Sequence, residues 1–427
     1  MDKFKNWLNR KLPPGSFVRN VVVLMTGTTF SQALLVLIAP ILTRLYTPED
    51  FGVFALYTSI LGILSVIACL RYELAIVLPE KDEDAANLLV LSIIICFFTS
   101  FVTLVIVAFF HGKIALLLGS PQISFWLWFL PLSLFLTGVF QALNYWSTRR
   151  KQFKRLAVRQ ITQNSVTAVT QIGAGFSPSS AGAGGLIGGY IAGQAAATSR
   201  LGWRIWREDR DYIAFNLAKL KEIIFKYKNF PLYLAWGHLL NAISPQIPVF
   251  LLTNYFSSEA TGWFSLATRV VGIPVALVGA SVSQVFFVKA SEIYREHGNC
   301  REIYLSTILN LAKISIIPFG IIAFLSPILF GIIFGKEWEN AGLFVMYMTP
   351  MFFLRFIGSP VSSIAIIRKK QIVDLVWQIT LIMLVILAFF IGIKMNSLKL
   401  CIILYSVVYC LAFICSILLN YRFSMGG

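Results

Sequence analysis

The sequence predicts an all-α polytopic membrane protein whose twelve transmembrane helices form two six-helix lobes. Three observations predict it. Of 427 residues, 57% are hydrophobic and only 13% charged, with a mean hydropathy of +0.77, whereas soluble domains carry about 25% charged residues. Apolar runs such as Leu89–Phe110 and Leu381–Ile393 recur along the whole chain and need a hydrocarbon environment. One short phrase is also written twice. It reads LTRLYTPEDFGVFAL at Leu42–Leu56 and LTNYFSSEATGWFSL at Leu252–Leu266, an offset of about 210 positions, close to half the chain.

A span takes about 20 residues at 1.5 Å rise each. Apolar runs between turn and charge signals place six helices at about 17–44, 51–78, 86–110, 122–146, 157–177 and 182–203. Six more follow at about 231–253, 263–288, 303–330, 342–366, 372–393 and 398–420. This divides the chain into an N-terminal lobe over 1–203, a connector over 204–230 and a C-terminal lobe over 231–427. The start, MDKFKNWLNRK, is basic and amphipathic but has no small-residue cleavage site, so the first span is expected to act as its own insertion signal.

Most of the 36 Lys and Arg cluster in one set of loops: Lys3–Lys11, RRKQFKR at Arg149–Arg155, the connector, Arg295 and Arg301, and RKK at Arg368–Lys370. The opposite loops hold Arg44, Lys113, Lys336, Lys394 and Lys399. Positively charged loops stay inside, so both termini are expected in the cytoplasm. The net charge of +17 is then a topology signal with attraction to anionic lipid, not a nucleic-acid footprint. Within the connector, Leu217, Leu220, Ile223, Ile224 and Tyr227 fall at helical spacing among lysines, the pattern of an amphipathic helix lying on the membrane interface.

The twin phrases link the first two spans of each half. The match continues in LWFLP (Pro131) and RRKQ, which return as YMTP (Pro350) and RKKQ at an offset of about 219. An offset of six helices keeps both halves in the same orientation, the parallel-repeat arrangement of transporters. The sixth span carries GAGGLIGGYIAGQAAATS, with Gly185, Gly189 and Gly193 on one face for close helix packing. Pro245 and Pro248 are expected to break the seventh span and Pro274 to interrupt the eighth.

Charges inside spans cost about 2.5–3.5 kcal/mol each on insertion scales, so each needs a reason. Lys313 and Arg355 are expected near mid-depth of the ninth and tenth spans, and Arg269 in the outer third of the eighth. Arg44 closes the first span, and Arg71 lies toward the inner end of the second with Glu73. Two apart on a helix, Arg71 and Glu73 are expected to point to different faces and not to pair. A cleft lined by such cations suits an anion, and guanidinium forks suit phosphate oxygens; snorkelling to headgroups is the alternative for each. Gln32, Gln163, Gln171, Asn241, Gln246 and Gln284 also fall inside spans, where they either meet sugar hydroxyls or bond neighbouring helices.

Asp209 and Asp211 form a DxD, read as solvated loop charge because no nucleotide-binding α/β domain surrounds it. The six cysteines show no CxxC and the three histidines no HExxH; no disulfide, metal, cofactor or catalytic residue is expected.

The stretch APILTRLYTPEDFGVFALYTSI, followed by LRYELAIVLPEKDEDAANLL over Ala39–Leu89, resembles the start of the polysaccharide biosynthesis proteins that flip lipid-linked oligosaccharides. O-antigen flippases belong to that group, within the multidrug/oligosaccharidyl-lipid/polysaccharide exporter superfamily. The resemblance implies two six-helix lobes in a V. It implies a bacterial inner-membrane flippase for an oligosaccharide on undecaprenyl diphosphate, and polymerase and chain-length partners of that pathway. Relatives use cavity arginines on the first and eighth helices, and LTRLY and SLATRVVGIP place Arg44 and Arg269 similarly. The diphosphate is therefore expected on Arg269 and Arg44 with Arg355 and Lys313 nearby, the last two on depth alone. The sugars are expected on Gln32, Asn241, Gln246 and Gln284, and a gate or a proton or sodium coupling site at Arg71 and Glu73. A drug/cation antiporter of the same fold is the nearest alternative, but it needs acidic residues at mid-depth. A glycan polymerase or ligase is a further one, but it needs large outer loops.

Overall fold

A computed structural model of the chain describes residues 29, 31–177, 182–212, 217–364 and 371–425. The basic N-terminus and the RKK cluster at 368–370 lie outside them, as does the side chain of Asp374. Among the described residues the chain is helical throughout, without a strand. Among the described residues eight helical segments are long and apolar enough to cross a membrane, making this a multi-pass membrane protein. The chain divides into two compact units, one of Met1–Tyr46 and Val53–Ile243, the other of Thr47–Gly52 and Ser244–Gly427.

In unit 1, α1 (Ala39–Leu45) closes the first expected span and α2 (Pro48–Ile67) opens the second. α2 ends well short of the expected 51–78. Leu70 (φ 49°) and Arg71 (φ 65°) are both left-handed, and a 3₁₀ turn, Tyr72–Val77, takes over. Neither residue is glycine, so this break carries local backbone strain. α3 (Asp82–Leu117), α4 (Leu130–Arg149), α5 (Phe153–Gly175) and α6 (Ala183–Asp209) complete the bundle. As expected from the spacing, Gly189 and Gly193 take Gln171 and Thr167 of α5 against their backbones, and Gly185 takes the Tyr46 ring. Tyr46 in turn donates to the Gln171 carbonyl at 2.6 Å, and the Gln171 amide donates to the Leu186 carbonyl at 2.8 Å. Gln171 thus bonds helices together.

The connector folds as α7 (Leu217–Lys226) and docks on protein. Ile223 is buried among Leu88, Leu89, Trp146 and Ile205, Tyr72 donates to the Ile224 carbonyl at 3.1 Å, and Lys219 pairs with Glu83 at 2.8 Å. The apolar stripe that suggested a lipid interface is spent on this core.

The seventh expected span comes in pieces: a π-helical turn Phe230–Leu234, α8 (Ala235–Ile243), a 3₁₀ turn Ser244–Gln246 and α9 (Ile247–Tyr255). Pro231, Pro245 and Pro248 sit in the first turns of three of these pieces, where a missing N–H costs least. The division between the units falls inside this span, between Ile243 and Ser244. Pro274, by contrast, leaves α10 (Ser258–His297) unbroken over 40 residues. Unit 2 continues with α11 (Arg301–Phe334), α12 (Glu339–Gly358), α13 (Gln371–Lys394) and α14 (Leu398–Ser424).

The twin phrases fold alike. Thr47 and Ser257 stand immediately before α2 and α10. Thr47 exchanges hydrogen bonds with Asp50 (2.8–3.3 Å), and Ser257 Oγ accepts from the Ala260 N–H at 3.0 Å. Each hydroxyl satisfies an otherwise orphaned donor at a helix start. Within unit 2 the two helix starts then pack reciprocally: a Cβ on Gly52 would strike the Ser258 carbonyl, and one on Gly262 the Pro48 carbonyl. Phe51 lies edge-on to Trp338, ring centroids 4.9 Å apart.

Candidate functional site: cations without carboxylates

Arg269 is half-buried on α10 and Arg355 is exposed on the last turn of α12. Neither has a hydrogen-bond or ion-pair partner among the described residues. α10 and α12 lie side by side and parallel, Gly272 touching Phe352 and Gly279 touching Ser359. In that register Arg355 comes level with position 275, so the backbones of the two arginines are offset by about 9 Å along the axis. Arg355 also faces Tyr405 and Tyr409 of α14 closely enough to act on them electrostatically. Those rings follow one another edge-on or tilted, Phe389, Tyr405, Tyr409 and Phe413, with centroids 4.8–6.1 Å apart. Two unpaired cations, one of them near aromatic rings, can take an anionic group carrying rings.

Other expected residues are placed differently. Lys313 is exposed on α11 and shares its face with exposed Leu309, Ile316, Ile317 and Phe324, an apolar stripe. Gln284 is exposed on α10, and Gln246 is half-buried and bonded. In unit 1, Arg44 is exposed at the end of α1, Gln32 is half-buried and Asn241 is exposed on α8.

Arg71 and Glu73 do pair, Nη1 to Oε1 at 3.3 Å, with Glu73 only 1% exposed. The expectation that they would diverge assumed a regular helix; the left-handed turn at Leu70–Arg71 swings the guanidinium onto the carboxylate. The pair is only half satisfied, since Arg71 Nε and Glu73 Oε2 are buried without partners. Such unpaired polar atoms at a strained break mark functional candidates.

The DxD reading holds for Asp211, which is exposed, but needs correction for Asp209. Asp209 is buried and takes Arg155 Nη1 at 2.6 Å, Arg155 Nη2 at 3.1 Å and Trp146 Nε1 at 3.0 Å. Glu208 takes Arg155 at 2.7 Å and Arg204 at 2.8 Å. Nearby, Arg149 holds Asp82 at 2.9 Å together with the Pro79 and Glu80 carbonyls. Two arginines of the RRKQFKR run thus lock the basic end of unit 1. Burial works against the Asp209 charge, but the Arg155 and Trp146 bonds outweigh it and hold the carboxyl below the usual range. Among the described residues no cluster of His, Cys, Asp and Glu could hold a metal.

With this geometry in view, a model of the family described as "Polysaccharide biosynthesis protein" matches residues 41–342. The chain belongs to that family. It is 24% identical over 214 residues to the teichuronic acid biosynthesis protein TuaB of Bacillus subtilis, covering 49% of this chain and 43% of that one. It is 23% identical over 329 residues to the succinoglycan biosynthesis transport protein ExoT of Rhizobium meliloti, covering 76% and 63%. The chain thus spans roughly half the length of the curated relatives it matches. Among solved structures, it superposes on an inward-facing multidrug resistance MATE transporter of the MOP superfamily with a TM-score of 0.71 at 14% identity, over 95% of this chain and 97% of that one. The lipid II flippase MurJ gives a TM-score of 0.70 at 14% identity, over 94% and 87%. The fold is that of the MOP superfamily transporters.

Proposed function

We propose that this chain is a flippase, with no enzymatic chemistry of its own. It carries an undecaprenyl-diphosphate-linked oligosaccharide, a repeat unit of O-antigen, capsule or exopolysaccharide, from the cytoplasmic to the periplasmic leaflet. It does so by alternating access of two six-helix lobes in the bacterial inner membrane, both termini cytoplasmic. The observation that carries this reading is the pair Arg269 and Arg355, two guanidiniums on adjacent helices with no carboxylate partner among the described residues. Bidentate bonds to a diphosphate would offset its dehydration. Within unit 1, Arg44 is a candidate phosphate contact of its own. Tyr409 presents its ring to a sugar, and Gln246 and Gln284 present amides to hydroxyls; within unit 1, Gln32 and Asn241 are candidate hydroxyl partners. Lys313 is left outside this pocket, because its apolar face supports snorkelling to headgroups. The Arg71–Glu73 pair is the coupling site, where a proton or sodium ion drawn by the gradient competes for the carboxylate. Polymerase and chain-length proteins are its pathway partners.

The test is flipping of a fluorescent undecaprenyl-diphosphate-linked glycan by the purified protein in liposomes. Losing one or two charge-assisted bonds of about 1.5–3 kcal/mol predicts that Arg269→Ala slows flipping about ten- to a hundredfold, and that Arg269→Lys recovers part. Normal flipping by a normally inserted Arg269→Ala protein would refute the assignment.

A further inference from the structure

Arg159 lies on α5 one turn beyond Arg155, yet the two arginines have opposite surroundings. Arg155 is held by two carboxylates. Arg159 is buried to 7% exposure, with its guanidinium carbon 3.2 Å from the centroid of the Phe140 ring on α4. One Nη donates to the side-chain oxygen of its neighbour Gln160 at 3.3 Å, while Nε is buried with no acceptor. Among the described residues no carboxylate pairs with it.

The Tyr190 phenol of α6 is tied through Gln194 to Thr137, one turn of α4 before Phe140, and is the titratable group that acts on Arg159. The Gln194 amide donates to the Tyr190 oxygen at 3.1 Å and to the Thr137 hydroxyl at 2.9 Å. The Tyr190 oxygen is thus already an acceptor, and its own proton has no acceptor among the described residues. Phe54 of α2 stands edge-on to Tyr190, centroids 5.9 Å apart. Inside unit 1 there are therefore a cation on the face of Phe140, a spare N–H and a spare O–H, with Gln194 Oε1 a buried spare acceptor in the same cluster. A buried charge left without a counterpart is heavily penalised, and the Phe140 face and the Gln160 oxygen offset this one only in part.

We propose that Arg159 and Tyr190 form a site for a monoanion, distinct from the diphosphate contacts on α10 and α12. One guanidinium and one phenol match a single negative charge; a diphosphate needs more cations. The monoanion is either a halide from solvent or the carboxylate of an acidic sugar in the cargo. In the second case the hydroxyl and amide of Thr137 and Gln194 lie beside the sugar ring. The cargo source rests on the flippase reading; the site itself does not.

The experiment uses the full-length protein in lipid nanodiscs and follows its thermal unfolding midpoint. Sodium chloride and sodium glucuronate are each titrated at constant ionic strength against sodium methanesulfonate, with glucose as the uncharged sugar. A saturable rise in the midpoint is expected with one or both anions and none with glucose. Arg159→Gln should abolish the rise, and Tyr190→Phe should raise the half-saturating concentration several-fold. A response to chloride alone makes solvent halide the ligand, and a stronger response to glucuronate makes it the sugar acid. Absence of any rise overturns the site, as does an equal rise in Arg159→Gln. If Arg159→Gln fails to fold, an unchanged half-saturation in the near-isosteric Tyr190→Phe overturns it instead. A wild-type protein that flips its glycan but shows no anion response would refute this site and leave the flippase reading standing.

Discussion

Replacing Asp209 by alanine should destabilise unit 1 by about 2–3 kcal/mol. The Arg155 and Asp209 side chains are each 4% exposed, so the truncation leaves a guanidinium buried with half its partners gone. Removing one member of a buried pair costs about 3–5 kcal/mol. Glu208 still accepts from Arg155 at 2.7 Å, and a hydrogen bond to a charged group is worth about 1.5–3 kcal/mol, which offsets part of the loss. The released indole N–H of Trp146 adds to the cost, since it sits in the same core. Denaturant titration in mixed micelles, read by tryptophan fluorescence, measures the change. The double variant Arg155→Met/Asp209→Leu should cost less than the two single changes added together, because neither side then strands a charge. A single-variant loss under about 0.5 kcal/mol, or strict additivity in the cycle, would refute the reasoning.

Acid should act through the same residue. The Asp209 carboxyl is held low in the folded state, so its contribution is complete above the unfolded value of about 3.9 and disappears as pH falls through the lower folded value. Unfolding midpoints should therefore drop below about pH 4 in the wild type and less steeply in Asp209→Asn. Gly52→Val and Gly262→Val each drive a side chain into a backbone carbonyl and should cost at least about 1–3 kcal/mol, seen as lost folded yield in detergent. Leu70→Gly relieves a left-handed leucine and should raise stability by up to about 1 kcal/mol, read as a higher denaturation midpoint. Lys313→Leu should leave flipping in liposomes within about twofold of wild type; a loss comparable to that of Arg269→Ala would bring Lys313 back to the cargo.

The bundle was legible wherever apolar length alone decides the structure, as in α3, α10, α11 and α14. It was misread where polar groups override periodicity. Nothing in LRYELAIV announces two left-handed residues, so Arg71 and Glu73 seemed bound for opposite faces. The connector stripe was read correctly as amphipathic but assigned the wrong partner, because a sequence does not say whether lipid or protein covers a face. The Arg155–Asp209 lock had a usable signal. Gly189 on Gln171 and Gly193 on Thr167 set an antiparallel register in which four residues on α6 match four on α5. Carried three further turns, that register brings Arg155 level with position 205, one turn from Asp209. Arg159 had no such signal, since its lack of a carboxylate depends on what every neighbouring helix happens to offer.

The reciprocal meeting of Gly52 and Gly262 also fixes how near the two helix starts can come. Bare backbone on each side faces a carbonyl oxygen of the other, so weak dispersion and Cα–H···O attraction hold the contact where interlocked side chains otherwise would. Any β-carbon placed there would wedge the two helix starts apart.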